Sequence, residues 1–249
     1  MLQRMIDLPP GALLCGAVAA LLVGFSKTGV PGLGVLIVPL MVSVFPAKRS
    51  VGALLPMLIF GDLFAVSYYH RHAEWKHLVR LLPWVALGMA GGAWLLDHLT
   101  DRTLRPALGG MVLSLLVVDA VRRRLPEQQI PTGWWFAALA GVFAGIATTV
   151  GNAAGAIMCI YLLSMRLPKH AFIGTGAWYY LIVNCAKIPI FARRHMITAE
   201  TLRFDLCTLP VIALGAFLGI RLLPRIPQKP FERVVVVLAV LASIRLLFP

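Results

Sequence analysis

Acidic residues are scarce. The chain has ten Asp and Glu in 249 residues, and charged residues of both signs make up only 13%. A soluble domain carries about 25% charged residues, so this chain has too few to cover a water-facing surface. Cysteine is scarce too. Cys15, Cys159, Cys185 and Cys207 all fall in apolar stretches and no CxxC occurs, which excludes a disulfide framework. The six histidines form no HExxH and no Cys/His pairing, so the sequence offers no metal site and calls for no cofactor. GxxxxGK[ST] is missing, as is any sizeable polar domain, which excludes ATP-driven transport by this chain alone. No convincing nucleophile–base pair is present, so the chain does not read as an enzyme. No cleavable signal peptide is expected, because the first apolar stretch runs on into GFSKTGVPG and further apolar sequence.

What the chain has in abundance is apolar sequence: 59% of residues are hydrophobic and the mean hydropathy is +0.85. The apolar runs are continuous, whereas barrel strands alternate in short segments. The fold class is therefore an all-α integral membrane protein. The net charge of +13 would point to nucleic acid in a soluble protein. Here the positives sit in short loops, at Lys48-Arg49, Arg71–Arg80, Arg122–Arg124, Arg193-Arg194 and Arg221–Lys229, as expected at a membrane surface. They also attract anionic solutes toward a pore mouth. No nucleic-acid partner is implied; the lipid bilayer is.

A spanning helix needs about 20 apolar residues. Six stretches reach that length: Ser50–Tyr69, His77–Leu96, Leu104–Val121, His170–Ala192, Leu202–Leu222 and Phe231–Leu247. Four shorter pieces, Pro10–Val23, Leu33–Phe45, Trp134–Thr148 and Ala153–Met165, pair as two hairpins folded at Gly-rich breaks. The order of broken hairpin then three helices occurs twice. Pro83, Gly88 and Gly92 recur as Pro210, Gly215 and Gly219 at a constant offset of 127, Lys48 recurs as Lys169, and Gly34 lines up with Gly155. The expectation is two repeats, residues 1–124 and 132–249, joined by a linker at 125–131. Each holds a re-entrant or barely spanning hairpin plus three transmembrane helices, about eight membrane elements in all. If each hairpin returns to its own side, each half crosses an odd number of times and the repeats are inverted. This is a plan of secondary transporters, whose sites lie near the midplane between broken helices. Basic residues are spread too evenly over the two sides to fix the orientation. The oligomeric state stays open, a homodimer included.

The first break, Gly24–Gly34, reads GFSKTGVPGLG and holds one cation, Lys27, between Ser26 and Thr28. A charge and two hydroxyls inside apolar sequence are tolerated only where protein or a water-filled cavity surrounds them. Lys27 either snorkels to an interface or sits in a buried site. Helix N-termini created at the break would favour an anion beside it. The second break, Gly145–Gly155, reads GIATTVGNAAG, and there Asn152 faces the role of Lys27 or caps a loop. A second cluster lies in GTGAWYYLIVNCAKIP. Asn184 and Lys187 stand one helical turn apart, with Thr175 and Trp178 upstream. Asn184 reads as a ligand or as interhelical glue, Lys187 as a buried cation or a snorkelling one, and Trp178 as a ligand or an interfacial aromatic. Asp62 is an acid in mid-helix and aligns with Asn184 at an offset of 122. It is a proton or cation coupling candidate, or a partner for Lys27 or Lys187. Asp119 is expected to pair with Arg122 at the surface.

GFSKTGVPGLGVLIVPL, GDLFAVSYYHRHAEWKHLVRLLPW and GTGAWYYLIVNCAKIPIF together make the chain resemble the sulfite exporter TauE/SafE family, also called toluene-sulfonate uptake permeases. The resemblance runs over nearly the whole length. It implies a multi-pass carrier of the bacterial inner membrane that moves sulfite, sulfonates or other small sulfur or organic anions. The second break has less glycine than the family's usual motif. The expectation is a secondary transporter of a small anion working by alternating access. The substrate contacts would be Ser26, Lys27, Thr28, Asn152, Thr175, Trp178, Asn184 and Lys187, with Asp62 for coupling, protons being the assumed coupling ion. An anion channel built on the same broken helices is the alternative.

Overall fold

The computed structural model describes residues 9–28, 34–122, 124, 133–222 and, in the last segment, 236–237, 240–241, 243–244 and 246–247. The Gly29–Leu33 tip, the 125–131 linker, the Asp119–Arg122 side-chain pair and most of Phe231–Leu247 lie outside the described residues. The described chain is all helical and contains no strand. Its helices are α1 (Pro10–Thr28), α2 (Gly34–Val42), α3 (Ala47–Tyr69), α4 (Trp75–His98), α5 (Asp101–Arg122), α6 (Trp134–Gly151), α7 (Gly155–Ser164), α8 (Lys169–Arg193) and α9 (Ala199–Leu222), with a 3₁₀ turn at His70–His72. Five are both long and apolar enough to cross a membrane: α1, α3 with its 3₁₀ turn, α4, α6 and α9. The 22 residues of α5 and the 25 of α8 match expected spans in length but carry more polar residues.

The two hairpins correct the sequence expectation. Their first arms are not short pieces. They run 19 residues in α1 and 18 in α6, close to bilayer thickness at about 1.5 Å per residue. Only the second arms are short, with nine residues in α2 and ten in α7. The first break was expected to begin at Gly24, yet the helix continues through Gly24, Phe25, Ser26, Lys27 and Thr28. Two hydroxyls help to finish it. Ser26 Oγ donates to the Val23 carbonyl and Thr28 Oγ1 to the Gly24 carbonyl. In the second hairpin, Thr149 Oγ1 donates to the Gly145 carbonyl in the same way. The second break is only three residues, Asn152 to Ala154. Asn152 ends α6 in the left-handed conformation, with φ of 53°, and its N–H donates to the Ala147 and Thr148 carbonyls. Asn adopts this geometry more readily than most residues because its short polar side chain bonds locally.

Gly24 is in the helix because another helix lies against it. A Cβ there would stand 2.0 Å from the Ile212 carbonyl oxygen and 2.6 Å from the Ala216 nitrogen on α9. Gly145 meets α4 in the same fashion, with 2.3 Å to the Val85 carbonyl oxygen and 2.8 Å to the Met89 nitrogen. The partner glycines answer. Gly215 lies against Leu21, and Gly88 against Val142. Positions on the long arms differ by 121 and those on their partners by 127, the offsets of the sequence repeat. The contacts cross between halves: α1 packs along α9, and α6 along α4. Small residues let backbones approach within a membrane, where close packing replaces the hydrophobic effect as the associating force. The largest buried cluster fills the centre with Ile37, Met41, Val51, Leu54, Leu55, Met57 and Phe191.

Gly24→Ala and Gly145→Ala force a methyl into backbone and are expected to destabilise the protein by about 1–3 kcal/mol each. Gly110, where an added Cβ would have nothing within 4 Å, serves as the control. Gly110→Ala is expected to be neutral or to stabilise by up to about 1 kcal/mol. Thermal unfolding of the purified protein in detergent checks all three.

Candidate functional site

Residues from both breaks line one cavity of about 140 Å³. α1 and its break contribute Ser26, Lys27, Thr28 and Gly34, and α6 and its break contribute Thr148, Asn152, Ala153 and Gly155. Leu58, Asp62 and Ala65 come from α3 and Tyr180 and Asn184 from α8. Leu162, Phe172, Ile173 and Ala177 add an apolar wall.

Lys27 stands in the last turn of α1, where the negative end of the helix dipole favours a cation. Its Nζ lies 2.7 Å from Asp62 Oδ1 and 4.2 Å from the centre of the Tyr180 ring. Both residues line the cavity; Asp62 is fully buried, while the Lys27 side chain keeps 12% exposure. Asn184 Nδ2 donates to the other carboxylate oxygen, Asp62 Oδ2, at 2.6 Å. The two residues that align between the halves thus bond to each other.

Lys187 is also fully buried, but its partners are neutral. Its Nζ donates to the Thr148 carbonyl at 3.1 Å, to Thr148 Oγ1 at 3.0 Å and to Asn152 Oδ1 at 2.5 Å. An ammonium has three donors, and all three are used. Two acceptors belong to the last turn of α6, again the negative end of a helix. Asn152 completes the tie by donating from Nδ2 to the Val51 carbonyl at 2.8 Å. Lys187 therefore fastens α8 to the second break and through Asn152 to α3. It does not line the cavity, and its ammonium is held out of it.

Of the residues expected to touch substrate, the structure brings Ser26, Lys27, Thr28, Asn152 and Asn184 to the cavity, with Asp62 among them. Thr28 is buried there, and its single hydroxyl proton is shared between the Gly24 carbonyl and the Ala216 carbonyl of α9. Thr175 and Trp178 are elsewhere. Thr175 is fully buried, and its hydroxyl accepts the Glu74 N–H at 2.9 Å. Trp178 lies against Trp75, with ring centres 5.2 Å apart, and its Nε1 donates to the His70 carbonyl at 3.4 Å. Both hold α8 to the turn between α3 and α4. Sequence reasoning left Tyr180 and Thr148 out of the site. Tyr180 is one turn from Asn184, so it shares its face; that spacing was the available signal. Among the described residues no cluster of His, Cys, Asp and Glu could hold a metal ion.

The family model described as sulfite exporter TauE/SafE matches residues 15–246. A curated relative, the probable inner membrane transporter protein TsaS of Comamonas testosteroni, is 27% identical over 178 residues, covering 71% of this chain and 73% of its own. No solved structure matches. The family match takes in both helix breaks, the Lys27–Asp62–Asn184 contacts and the Lys187 tie, and with the apolar helices around them it makes this chain a multi-pass inner-membrane transporter that belongs to the sulfite exporter TauE/SafE family.

Proposed function

We propose that the protein is a secondary transporter for a small anion, a sulfur oxyanion or organosulfonate, that binds in the cavity between the two breaks. One observation carries the reading. Gly34 and Gly155, the first residues of α2 and α7, both border the cavity that Lys27 reaches. First-turn amides have no acceptor within their own helix, and their dipole end is positive. Two such ends and an ammonium around one polar space favour an anion. Asn152, Asn184 and Ser26 supply directional hydrogen bonds. Lys187 acts as a positioning residue, keeping the second break in place, and Thr175 and Trp178 keep α8 in place. The family description and the relative's role as an inner membrane transporter support the substrate class and the transport mode.

Residues 1–124 and 132–249 act as two inverted repeats in this reading, rocking against each other in alternating access with the site near the midplane. The crosswise glycine contacts support it, because each long arm packs on the other half.

Lys27→Gln is expected to weaken anion binding by about ten- to a hundredfold, the worth of a hydrogen bond to a charged group. Lys187→Met is expected to lower the stability of the ligand-free protein instead, by about 1–3 kcal/mol for each buried acceptor left without a donor. Thermal shifts of both variants and the wild type against sulfite, methanesulfonate, sulfate, thiosulfate and acetate separate the two roles; an undiminished shift in Lys27→Gln would remove Lys27 from the site. In proteoliposomes a carrier saturates and shows counterflow, whereas large passive conductance without counterflow would make the protein a channel.

A further inference from the structure

We propose that Asp62 holds the place of the substrate on Lys27 when the transporter is empty, and that an anion displaces it and sends a proton onto it. The inference rests on the anion-transport reading above. Lys27 Nζ has its ion-pair contact with Asp62 Oδ1 at 2.7 Å, and the pair lies at the wall of the cavity where the anion would bind. A substrate anion and the Asp62 carboxylate therefore compete for one cation. Lys187 cannot relieve the competition, since its three donors are used on Thr148 and Asn152.

The geometry says where the proton goes. Asn184 donates to Oδ2, so the oxygen vacated when Lys27 turns to the substrate is Oδ1. An ionised carboxylate left there, fully buried beside a bound anion, would be an uncompensated charge. A proton taken from hydronium in the bathing solution removes it: an Oδ1–H bond forms, one O–H bond of the hydronium breaks, and a neutral water leaves. Charged groups acting on Asp62 are Lys27 from α1 and Lys187 from α8. Tyr180 and Cys185 of α8 are the other titratable groups influenced by it, and Cys159 of α7 lines the same cavity. α2, α5 and α9 also pack on α3; the charged contacts that α5 and α9 make with it, Asp101 to the Lys48 N–H and Glu200 to Arg49, lie in its first turn, more than three turns from Asp62.

Two consequences distinguish this arrangement from a site with a permanent free cation. A monoanion travels with a proton. The empty transporter, its cation neutralised by Asp62, can reorient without cargo, so net transport is allowed and not exchange alone.

The test uses methanesulfonate, which remains a monoanion throughout the working pH range. Binding to the purified wild type in weak buffer with a pH indicator is expected to take up about one proton per anion. In proteoliposomes a gradient of about one pH unit is expected to drive roughly tenfold accumulation, each unit being a factor of ten in proton activity. Asp62→Asn is expected to take up no proton on binding the anion and to lose gradient-driven accumulation and net flux. Wild-type binding without proton uptake overturns the proposal and needs no variant. Accumulation that persists in Asp62→Asn overturns it as well. Wild-type protein with neither binding nor counterflow for any anion in the panel overturns the transport reading instead.

Discussion

A charge buried between membrane helices must be answered by another polar group, and the arrangement of this protein follows from how its two lysines are answered. Water is absent from the hydrocarbon region, so an unmatched ammonium there is costly. Lys27 is met by a carboxylate and an aromatic ring. Lys187 is met by a carbonyl, a hydroxyl and an amide oxygen. The first answer can be exchanged, because one anion can replace another. The second is a set of neutral contacts that saturates the donor. In the proposed transport role, one lysine is thereby available to cargo, and the other holds the frame in which cargo is met.

That frame depends on close backbone contact. Gly24 and Gly145 bring the ends of α1 and α6 against α9 and α4, and Gly88 and Gly215 return the contact. The arms that end at the cavity are seated on the opposite half of the chain. Any displacement of one half relative to the other must act through these seats, so the cavity walls and the largest helix contacts are mechanically one system.

Much of this was readable in the residues. The glycine offsets marked the repeat, and Asp62 aligned with Asn184 before they were seen to bond. The lysines in GFSKTGVPG and VNCAK stood out in apolar sequence, and the structure gives each a set of polar partners inside the helix bundle. Other features were not readable, for physical reasons. Gly24 has the same local propensity cost whether it breaks a helix or lets two helices touch, and only the presence of α9 decides. Thr175 shares a helix with Asn184 but stands nine residues away, about 180° around at 3.6 residues per turn, so it faces the turn before α4. Tyr180, four residues away, shares the polar face. Counting the angle along α8 would have exchanged one for the other. Lys187 lies on that face too, yet its long stem carries its ammonium to α6, and reach of this kind is fixed by neighbours.

The unequal arms of the hairpins have an electrical meaning. α1 and α6 end at the cavity, so their carbonyl ends point toward it, and each is covered by a lysine. α2 and α7 begin there and run away from it, so both present their positive ends inward. Both negative ends are answered by a lysine and both positive ends lie at the cavity, so beside the single Asp62 carboxylate the arrangement favours a raised potential there. In the proposed transport role, a small cation entering that space would meet a barrier of its own sign. Such a barrier would insulate cation gradients from a protein that opens a polar space in its membrane.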